Sequence, residues 1–470
     1  MVNKVSFSEI ATHKNLIVSE SFFRWNKKLY QNKWFLGDRV IEYFDILSGF
    51  AFKSTDYTEE GISVMRIGDI LKDGSFDIDN MNKLPDDFFD IYSKYLVCEN
   101  DIAIAMTGAT IGKTALISNI SNPILLNQRV GLLRLKKNIK LNTKFLQLVL
   151  CNELFKIQIL INSMGKSQPN ISPFDILDLK IPRITITLQN EIICLIEPIE
   201  TEIYNLKISK QKSLDIINKV FGEELGFDWI EFERLKKLKI YSSNLNEFAN
   251  NIDCRMGLKF HNLAGKYLHS FLTSKTTKRV KDFIAEPIVL GKSVSPSDYD
   301  EDGEYFYIAM SNIKTYAFDP EDCKKVSEDY AKSNIKKTVQ KDDILLARSG
   351  EGTIGKVALI EDEDLNAIFA DFTQRIRLTN YNTLFAYYYF RSDFFQYLVY
   401  THKKGLGNNT NIFPSQIQEF PIPDWDETKQ SEIVEKIKTQ IDAQNIIDKQ
   451  IEQKQKQINE IIKNAITNPK

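Results

Sequence analysis

The sequence predicts an α/β chain in which two tandem copies of a mixed domain are each followed by a long helix. Three observations support this fold class. The chain repeats itself with a shift of about 240 residues, two stretches have coiled-coil spacing, and short β-prone runs alternate with helical patterns. We therefore expect a pseudo-two-fold internal repeat of two α/β (α+β) domains, separated by two long antiparallel coiled-coil helices.

The repeat is clearest in a glycine-containing segment. Asp101–Ile117 reads DIAIAMTGATIGKTALI and Asp343–Ile360 reads DILLARSGEGTIGKVALI, so with one insertion eleven of seventeen aligned residues are identical. Further matched pairs are Arg39-Val40 with Arg279-Val280, Asn127–Val130 with Thr373–Ile376, and Asn170–Pro173 with Asn411–Pro414. Because the pairs keep the same order along the chain, we interpret the repeat as a tandem duplication.

After each copy, apolar residues form one narrow stripe on a charged helix. In Leu188–Phe221 the stripe contains Ile192, Ile196, Ile199, Ile203, Leu206, Leu214, Ile217 and Phe221, interrupted by Lys210. From Gln430 onward it contains Ile433, Ile437, Ile441, Ile447, Ile451, Ile458 and Ile462, with Gln444 and Gln455 nearby. This spacing predicts a helix pair of roughly 50 Å whose polar residues specify register. The alternative is that each helix packs only on its own domain.

The remaining patterns place the domain boundaries. The β-prone runs are Ser63–Ile67, Ile102–Met106, Thr114–Ile117, Ile344–Ala347 and Val357–Ile360, and the helical patterns are Asn142–Leu160 and Leu384–Tyr400. We predict an N-terminal adaptor segment (1–33), a first domain (34–186), a central long helix (187–224), a connecting segment (225–275), a second domain (276–425) and a C-terminal long helix (426–470).

Composition excludes several classes of protein. Hydrophobic content of 43% and charged content of 26% are typical of a soluble globular chain. Met1–Ile10 carries no apolar run and no stretch of 18 apolar residues occurs, so we expect a cytoplasmic protein. The five cysteines include no C-x-x-C, which disfavours disulfides and zinc. Net charge is −2, but basic runs at 136–144 and 275–281 leave room for a polyanion, although such runs are more often solvated faces.

Two glycine-rich segments are similar to a phosphate-binding loop without matching it. Gly108–Thr114 has three residues between its glycines where a P-loop needs four, and Gly350–Lys356 is followed by Val357 in place of Ser or Thr. We therefore predict a turn between two strands rather than a nucleotide site.

The segment around Pro423-Asp424 and Glu427–Lys429 is similar to a nuclease motif. Its acids stand at a helix entrance, so we interpret them as helix caps, with Asp426 or Thr428 as the capping residue. The N-P-P-[FY] and F-x-G-x-G motifs of methyltransferases are absent, and no nucleophile–base pair recurs in both copies. The sequence therefore predicts a non-catalytic chain.

The residues resemble those of the DNA specificity subunit of type I restriction–modification systems. The features that carry the resemblance are Ser48–Lys53 (SGFAFK), Asp101-Ile102 with its T-G-A-T-I-G-K turn, Asn127-Gln128, Gln168–Ser172 (QPNIS), and the Ile-Pro pair before each long helix. They stand in the family's order. The second half is more divergent, with Leu290–Ser293 replacing SGFAFK and Thr373-Gln374 replacing the Asn-Gln pair.

This resemblance implies two target recognition domains, each reading one half of a bipartite site in double-stranded DNA. It also implies docking of two adenine methyltransferase subunits and of nuclease/translocase subunits, in a system of antiviral defence. No catalytic residue, metal or cofactor is expected in this chain, since S-adenosylmethionine belongs to the methyltransferase. Two similar reading faces on one side of the duplex favour half-site centres roughly 34–36 Å apart.

Candidate DNA-binding residues are arginines, lysines, asparagines and glutamines in or beside predicted turns, because these side chains pair with base edges. They are Lys53, Arg66, Lys113, Arg129, Lys166, Gln168, Arg348, Lys356, Arg375, Lys403, Lys404, Asn408 and Asn409. Repeated ones such as Lys113 and Lys356 are better explained by the fold, which makes the unmatched Thr401–Asn411 loop the stronger candidate. Two alternatives remain open: an enzyme with an unrecognised active site, and a scaffold that binds only protein.

Overall fold

The architecture comes from a computed structural model, which describes residues 24–25, 27–29, 37–71, 73–137, 139–163, 169–249, 255–314, 317–318, 320, 323–350, 352–405 and 409–467. The chain divides into two compact units. The first unit comprises 1–208 and 449–470, and the second comprises 209–448. Most of the predicted adaptor (1–33) lies outside the described residues, although Trp25 and Leu29 pack against the core of the first unit.

The described residues of the first unit form short strands and helices. The strands are β1 (Asp38–Arg39), β2 (Phe44–Ser48), β3 (Ile62–Met65), β4 (Asn82–Leu84), β5 (Ile102–Ala105), β6 (Thr114–Leu116), β7 (Ile124–Leu126), β8 (Val130–Leu135) and β9 (Lys180–Ile181). The helices are α1 (Val40–Tyr43), α2 (Phe88–Ile91), α3 (Thr143–Cys151), α4 (Glu153–Ser163), α5 (Pro173–Asp178) and α6 (Ile186–Ser209).

The second unit repeats this plan. Its strands are β10 (Val289–Leu290), β11 (Tyr305–Ile308), β12 (Ile313–Lys314), β13 (Ala317–Phe318), β14 (Lys324–Val326), β15 (Ile344–Ala347), β16 (Val357–Leu359), β17 (Ala367–Phe369) and β18 (Thr373–Ile376). Its helices are α7 (Ser213–Leu225), α8 (Trp229–Lys236), α9 (Leu245–Ala249), α10 (Leu263–Lys275), α11 (Glu328–Ser333), α12 (Thr383–Arg391), α13 (Asp393–His402) and α14 (Pro414–Ile417). A final helix, α15 (Glu427–Thr467), begins in the second unit and ends in the first.

Sheet topology confirms the duplication. In the first unit, one antiparallel sheet has the order β2-β8-β5-β6 and a smaller sheet has the order β4-β3-β7, in which β3 and β7 are parallel. In the second unit, the corresponding orders are β10-β18-β15-β16 and β14-β11-β17, with β11 and β17 parallel. Two copies of one sequence pattern have therefore produced the same mixed α/β topology.

Strand register corrects one of the predicted matches. Ala105 pairs with Val130 in the first unit, whereas the equivalent Ala347 pairs with Thr373. Asn127–Val130 therefore corresponds to 370–373, not to Thr373–Ile376. The Gln-Arg pair that occurs in both segments, at 128–129 and 374–375, had shifted the sequence alignment of the two copies by three positions. The pairing of β18 with β15 decides the register, and it places Arg377 rather than Arg375 opposite the buried end of β15.

The core of each unit lies between the antiparallel sheet and two helices. Ile102 and Ile104 of β5 join Phe145 and Phe155 in one cluster, while the alternate residues of β5 face a second cluster. In the second unit, β15 is likewise buried on both faces. A strand covered on both faces is apolar throughout, which explains the uninterrupted apolar runs of β5 and β15.

Two helices predicted to be continuous are broken. Asn142–Leu160 is divided between α3 and α4 at Asn152, and Leu384–Tyr400 is divided between α12 and α13 at Ser392. Both residues have extended backbone angles. The buried Ser392 hydroxyl donates to the carbonyl of Tyr389, and the Asn152 side chain accepts from the backbone of Leu154. Polar side chains of this kind compete with the helix for backbone partners.

The long helices share apolar cores, as the stripe predicts. In the first unit, Ile192, Ile196 and Ile203 of α6 join Ile458 and Ile462 of α15 in one buried cluster. A lysine–glutamate pair, Lys454 with Glu202, joins the same two helices. Each helical segment therefore packs on its own domain and also against the other long helix.

The second unit has the same arrangement at the opposite end of α15. Ile217 and Phe221 of α7 share a cluster with Ile433 and Ile437. Lys436 of α15 forms ion pairs with glutamates of α7. The predicted 34-residue central helix is nevertheless wrong in one respect, because it is interrupted between Ser209 and Ser213.

At this interruption, α15 supplies hydrogen-bond partners that the central helix lacks. The backbone N–H of Gln211 donates to the side-chain carbonyl of Gln444 at 2.8 Å. Lys210 pairs with Asp448 at 2.6 Å. Gln444, expected from the sequence to specify register, therefore contacts the backbone at the one place where the apolar stripe contains a lysine.

The helices were also compared with the requirements for crossing a membrane. Within the described ranges, no single helix has the length and apolarity needed to cross a membrane. Only the bent pair α3–α4 together has the length and composition of a membrane-crossing segment.

The basic runs seen in the sequence are partly paired with acids, since Lys144 contacts Glu200 and Lys281 contacts Glu419.

Candidate nucleic-acid interface

Each unit gathers three loops at the end of its central strand, and we call this arrangement the corner. In the first corner (105–113, 127–129 and 169–171), the N–H of Ala105 donates to Lys113 at 2.9 Å and the N–H of Met106 donates to Arg129 at 3.0 Å. The N–H of Ile171 donates to the carbonyl of Met106 at 3.0 Å. These backbone bonds bring together segments that are far apart in the sequence.

The second corner (347–350, 352–356, 370–372 and 409–412) has the same three bonds. Ala347 donates to Lys356 at 2.8 Å, and Ile412 donates to Arg348 at 2.9 Å. Arg348 in turn donates from its backbone to Phe372 at 2.9 Å. Met106 and Arg348 therefore occupy equivalent backbone positions, as do Arg129 and Phe372.

The glycines of each turn explain how this corner forms. Gly108 and Gly112 have φ of 72° and 79°, and Gly350 and Gly355 have φ of 83° and 88°. Glycine adopts these left-handed angles without a Cβ clash, so the chain reverses between β5 and β6, and between β15 and β16. The prediction of a strand-connecting turn in place of a P-loop is confirmed.

The remaining described candidates of the first unit lie close to the corner. The N–H of Gln128 donates to Phe50 at 3.0 Å, three residues before the exposed Lys53. The N–H of Asn127 donates to Met65 at 3.0 Å, directly before Arg66. Lys53, Arg66, Lys113 and Arg129 thus belong to one loop cluster. Lys166 and Gln168 lie outside the described residues.

Arg66 is partly committed to the fold. Its guanidinium lies 3.5 Å from the buried carboxylate of Asp69, whose oxygen also accepts from the Arg66 backbone at 2.7 Å. Burial raises the pKa of the Asp69 carboxyl, and these contacts with Arg66 oppose that rise. The Arg66 side chain remains 36% exposed, so it is still accessible from solvent.

The described ends of the loop favoured by the sequence, 403–405 and 409–411, pair as a hairpin beside the second corner. Lys404 and Asn411 exchange two backbone hydrogen bonds of 2.7 Å. Lys404 therefore lies beside Asn411, whose side-chain oxygen contacts Arg348, and Lys403 and Asn409 belong to the same two segments. Asn408 lies outside the described residues.

Arg375 is placed differently from the other candidates. Its side chain is 5% exposed, contacts Glu286 at 2.5 Å and lies over the ring of Phe369. Burial lowers the pKa of the Arg375 guanidinium, and the neighbouring Arg377 adds to this effect. Its burial favours a structural role in the sheet, although its assignment to DNA stays an untested prediction.

The structure also shows residues that the sequence analysis missed. Phe372 and Phe413 are 48% and 38% exposed at the second corner, and Phe174 is 82% exposed just beyond the first. A sequence does not reveal exposure in an irregular loop. The sequence did contain a signal for Arg134 and Arg377, because the two arginines are separated by the repeat shift of about 240 residues. In the structure each binds a buried aspartate, Asp101 and Asp343 respectively.

Arg255 of the connecting segment holds the start of the hairpin. Its two terminal nitrogens donate to the carbonyls of His402 and Lys403, each at 2.7 Å. Gln416 also donates to the His402 carbonyl, at 2.5 Å. Burial lowers the pKa of His402 to about 4, so its imidazole is neutral at pH 7.

These corners supply the chemistry needed to contact nucleic acid. Arginine, lysine and asparagine donate to base edges and phosphates, and exposed aromatic rings stack on bases. Among the described residues, no group of three or more histidines, cysteines, aspartates or glutamates has a geometry suited to a metal ion.

Comparison with known protein families agrees with this chemistry. A model described as the type I restriction modification DNA specificity domain matches residues 39–211 and 275–460. The chain belongs to this family. The two matched segments each contain one copy of the internal repeat, and the expectation of a non-catalytic chain agrees with a family defined by DNA specificity.

Individual relatives show more limited similarity. The chain is 31% identical over 147 residues to the type I restriction enzyme MjaVIII specificity subunit of Methanocaldococcus jannaschii, covering 31% of this chain and 34% of that relative. It is 32% identical over 96 residues to the EcoAI specificity subunit of Escherichia coli, covering 20% of this chain and 16% of that one. The match thus spans about a third or less of the length of these curated relatives.

Among solved structures, the chain is similar to the type I restriction–modification S subunit from M. genitalium. The TM-score is 0.40 at 14% identity, over 92% of this chain and 96% of that one. It is also similar to the HsdS subunit from Thermoanaerobacter tengcongensis, with a TM-score of 0.31 at 12% identity over 92% and 96% of the two chains.

Proposed function

We propose that this chain is the specificity subunit of a type I restriction–modification complex, in which each unit reads one half of a bipartite DNA site. The observation that carries the proposal is the duplicated corner. Both units form it with the same backbone hydrogen bonds, yet they differ in the side chains that the corner presents. A duplicated scaffold with different contact residues is suited to reading two different short sequences.

The side chains at the corners support DNA as the ligand. Arginine and lysine contact phosphates without regard to sequence, whereas arginine and asparagine also pair with base edges in the major groove. The net charge of the whole chain is only −2. A near-neutral reader would obtain part of its phosphate contacts from partner subunits, because neutralising phosphates requires many basic residues.

The paired helices are the proposed docking element for two methyltransferase subunits, with nuclease/translocase subunits joining the same complex. Support comes from exposed apolar residues on α6, of which Leu195, Tyr204 and Ile208 are each more than 60% exposed. Tyr204 and Ile208 are four residues apart and so share one face of the helix, and adjacent exposed apolar side chains are typical of a surface that a partner covers. S-adenosylmethionine and the methyl-transfer chemistry would belong to those partners.

The test is a genome-wide map of methylated adenine in the host, with and without the gene for this chain. We expect a two-part motif with an unread spacer that disappears on deletion and returns on complementation. A chimaera in which residues 276–425 are replaced by those of a relative should change one half of the motif and leave the other half unaltered.

Three results would contradict the proposal. Methylation that does not change on deletion would remove its basis. Cleavage or methyl transfer by the purified chain alone would indicate an enzyme with its own active site. Absence of sequence-specific DNA binding by the purified chain, with the methyltransferase present, would indicate a protein scaffold.

A further inference from the structure

The two corners carry different side chains at the equivalent positions 106 and 348. Met106 and Arg348 make the same two backbone hydrogen bonds: each N–H donates to the loop before β8 or β18, and each carbonyl accepts from the returning segment. Met106 is 5% exposed and packs into the core cluster of the first unit. Arg348 is only partly buried. One backbone position therefore carries a core side chain in the first unit and a guanidinium in the second.

The guanidinium of Arg348 is held by neutral oxygen atoms. Its Nε donates to the carbonyl of Asp371 at 2.8 Å, and a terminal nitrogen contacts the side-chain oxygen of Asn411 at 3.3 Å. The ring of Phe413 lies beneath it, 6.0 Å from the guanidinium carbon. Within the described residues, Arg348 has no carboxylate partner, so its charge is oriented without being neutralised.

Two arginines of β18 and its end, both of which have acidic partners, provide the contrast. Arg375 and Arg377 contact Glu286, and Arg377 also contacts Asp343. A guanidinium paired with a buried acid stabilises the fold and has little capacity left for a ligand. Arg348 keeps its second terminal nitrogen and one remaining N–H for an acceptor outside the protein.

Guanine is the base whose major-groove edge fits this group. It presents two adjacent acceptors, N7 and O6, which an arginine contacts through two parallel hydrogen bonds. Side chains fixed by supporting contacts lose less conformational freedom on binding, and this favours base reading over a loose phosphate contact. Asn411 and the Asp371 carbonyl supply those supporting contacts here.

We propose that Arg348 is the specificity-determining residue of the second unit and reads a guanine in its half-site, with Asn411 as a positioning residue. This inference rests on the proposed function, that of a two-part DNA reader. The first unit would read a different sequence because it has Met106, without a guanidinium, at the position equivalent to Arg348. Its corner arginine is Arg129, and the second unit has Phe372 at that equivalent position.

The experiment maps methylated motifs for four chains: wild type, Arg348→Met, Arg348→Lys and Lys356→Met. Methionine is the residue that the first unit carries at this position, so Arg348→Met is compatible with the backbone. We expect Arg348→Met to lose about 10- to 100-fold of discrimination at a single G·C pair in one half-site, with the other half unaltered. Arg348→Lys keeps the charge without the two-pronged geometry, so it should lose the same discrimination while retaining affinity.

Lys356→Met is the matched control, since it removes one positive charge at a position where both units have lysine. It should weaken binding at all sites evenly and leave the motif unaltered. Circular dichroism and thermal unfolding establish that each variant is folded. A fifth chain, Asn411→Ala, should broaden the preference at the same base position without abolishing it, because Arg348 retains its contact with the Asp371 carbonyl.

The outcomes separate this inference from the proposed function. A two-part motif that depends on the chain but stays unchanged in Arg348→Met overturns the assignment of Arg348 and leaves the proposed function standing. A wild-type motif with no G·C pair in either half has the same consequence. If no motif depends on the chain, both statements fail together.

Discussion

The side-chain carbonyl of Gln189 accepts a hydrogen bond from the backbone N–H of Asn142 at 2.9 Å, and so connects the first long helix to the first helix of the domain core. The amide of Gln189 donates to the carbonyl of Ile184 at 2.8 Å. In the second unit, Gln430 accepts from Asn382 at 2.8 Å and donates to Trp425 at 2.6 Å. Each long helix therefore begins at the same buried glutamine contact with its domain.

Replacement of Gln189 by alanine should destabilise the first unit. Gln189 is 2% exposed, and its loss leaves a backbone N–H and a carbonyl without partners. A buried polar group left unpaired costs about 1–3 kcal/mol. Urea unfolding measures the change in free energy. Gln455→Ala, on the exposed face of α15, is the control and should stay within about 0.5 kcal/mol of wild type; equal effects for the two variants would exclude the contact as the cause.

Arg377→Met should be more damaging than Arg134→Met. Asp343 is fully buried and accepts from Arg377 at 2.7 and 2.8 Å, so removal of the arginine leaves an unpaired internal carboxylate. Such a loss costs about 3–5 kcal/mol. Arg134 is 42% exposed, so water partly replaces it beside Asp101. Denaturant midpoints of the two variants check the order, and a reversed order would contradict the argument.

The exposed ion pair between Lys332 and Glu328 is the control for these arginine variants. Because both groups are solvated, Lys332→Met should leave the denaturant midpoint unchanged. In addition, Asp343→Leu combined with Arg377→Met should recover stability relative to Arg377→Met alone, since no charge then remains buried.

Acid should weaken the contact between α7 and α15 in the second unit. Hydrogen bonding from Lys429 lowers the pKa of the Glu224 carboxyl below its ordinary value of 4.5, and Lys436 adds to the effect while burial opposes it. A carboxyl with a lowered folded-state pKa contributes stability above its unfolded pKa and loses that contribution as pH falls through the folded value. The difference in unfolding free energy between wild type and Glu224→Gln should therefore be constant near pH 7, begin to fall as pH approaches 4.5, and disappear only below the lowered folded-state pKa. A difference independent of pH would exclude the ion pairs as its origin.

Arg255 should control the geometry of the hairpin that follows His402. Because its guanidinium holds two consecutive carbonyls, Arg255→Ala should release residues 403–411 and speed trypsin cleavage after Lys403 and Lys404. We also expect broader base preference in one half-site, with partial retention in Arg255→Lys. Arg234→Ala removes an exposed arginine paired on its own helix, so cleavage at the hairpin should not change. Equal rates of cleavage in Arg255→Ala and wild type would show that the two hydrogen bonds from Arg255 do not hold the hairpin.

Much of the fold could be predicted from the sequence because it depends on local patterns of residues. The glycine turn, the strands predicted at Ile344–Ala347 and Ile102–Met106, and the cap predicted at Asp426 or Thr428 follow from short-range rules. The structure confirms the turn, has strands at Ile344–Ala347 and Ile102–Ala105, and has the cap at Asp426. Asp426 accepts from the backbone of Lys429 at 2.8 Å, as expected of an N-cap. The duplication was readable because the same rules operate twice in one chain.

Other features depend on partners distant in the sequence. Two identical letters aligned Arg375 with Arg129, whereas strand pairing makes Leu132 the equivalent of Arg375, because Arg375 pairs with Leu345 of β15 and Leu132 pairs with Ala103 of β5. The break at Lys210–Lys212 is satisfied by Gln444, more than two hundred residues away. No local pattern contains this information.

The sequence by itself determined the tandem repeat, the helix stripes and the chemical types of residue near the turns, since periodicity and turn preference are local properties of the chain. Only the tertiary structure decided which arginine is buried beside an acid and which one is held by neutral oxygens at the corner. That distinction between Arg375 and Arg348 depends on strand register and burial. Both are set by contacts between segments far apart in the chain, where desolvation and charge pairing determine what each guanidinium can still bind.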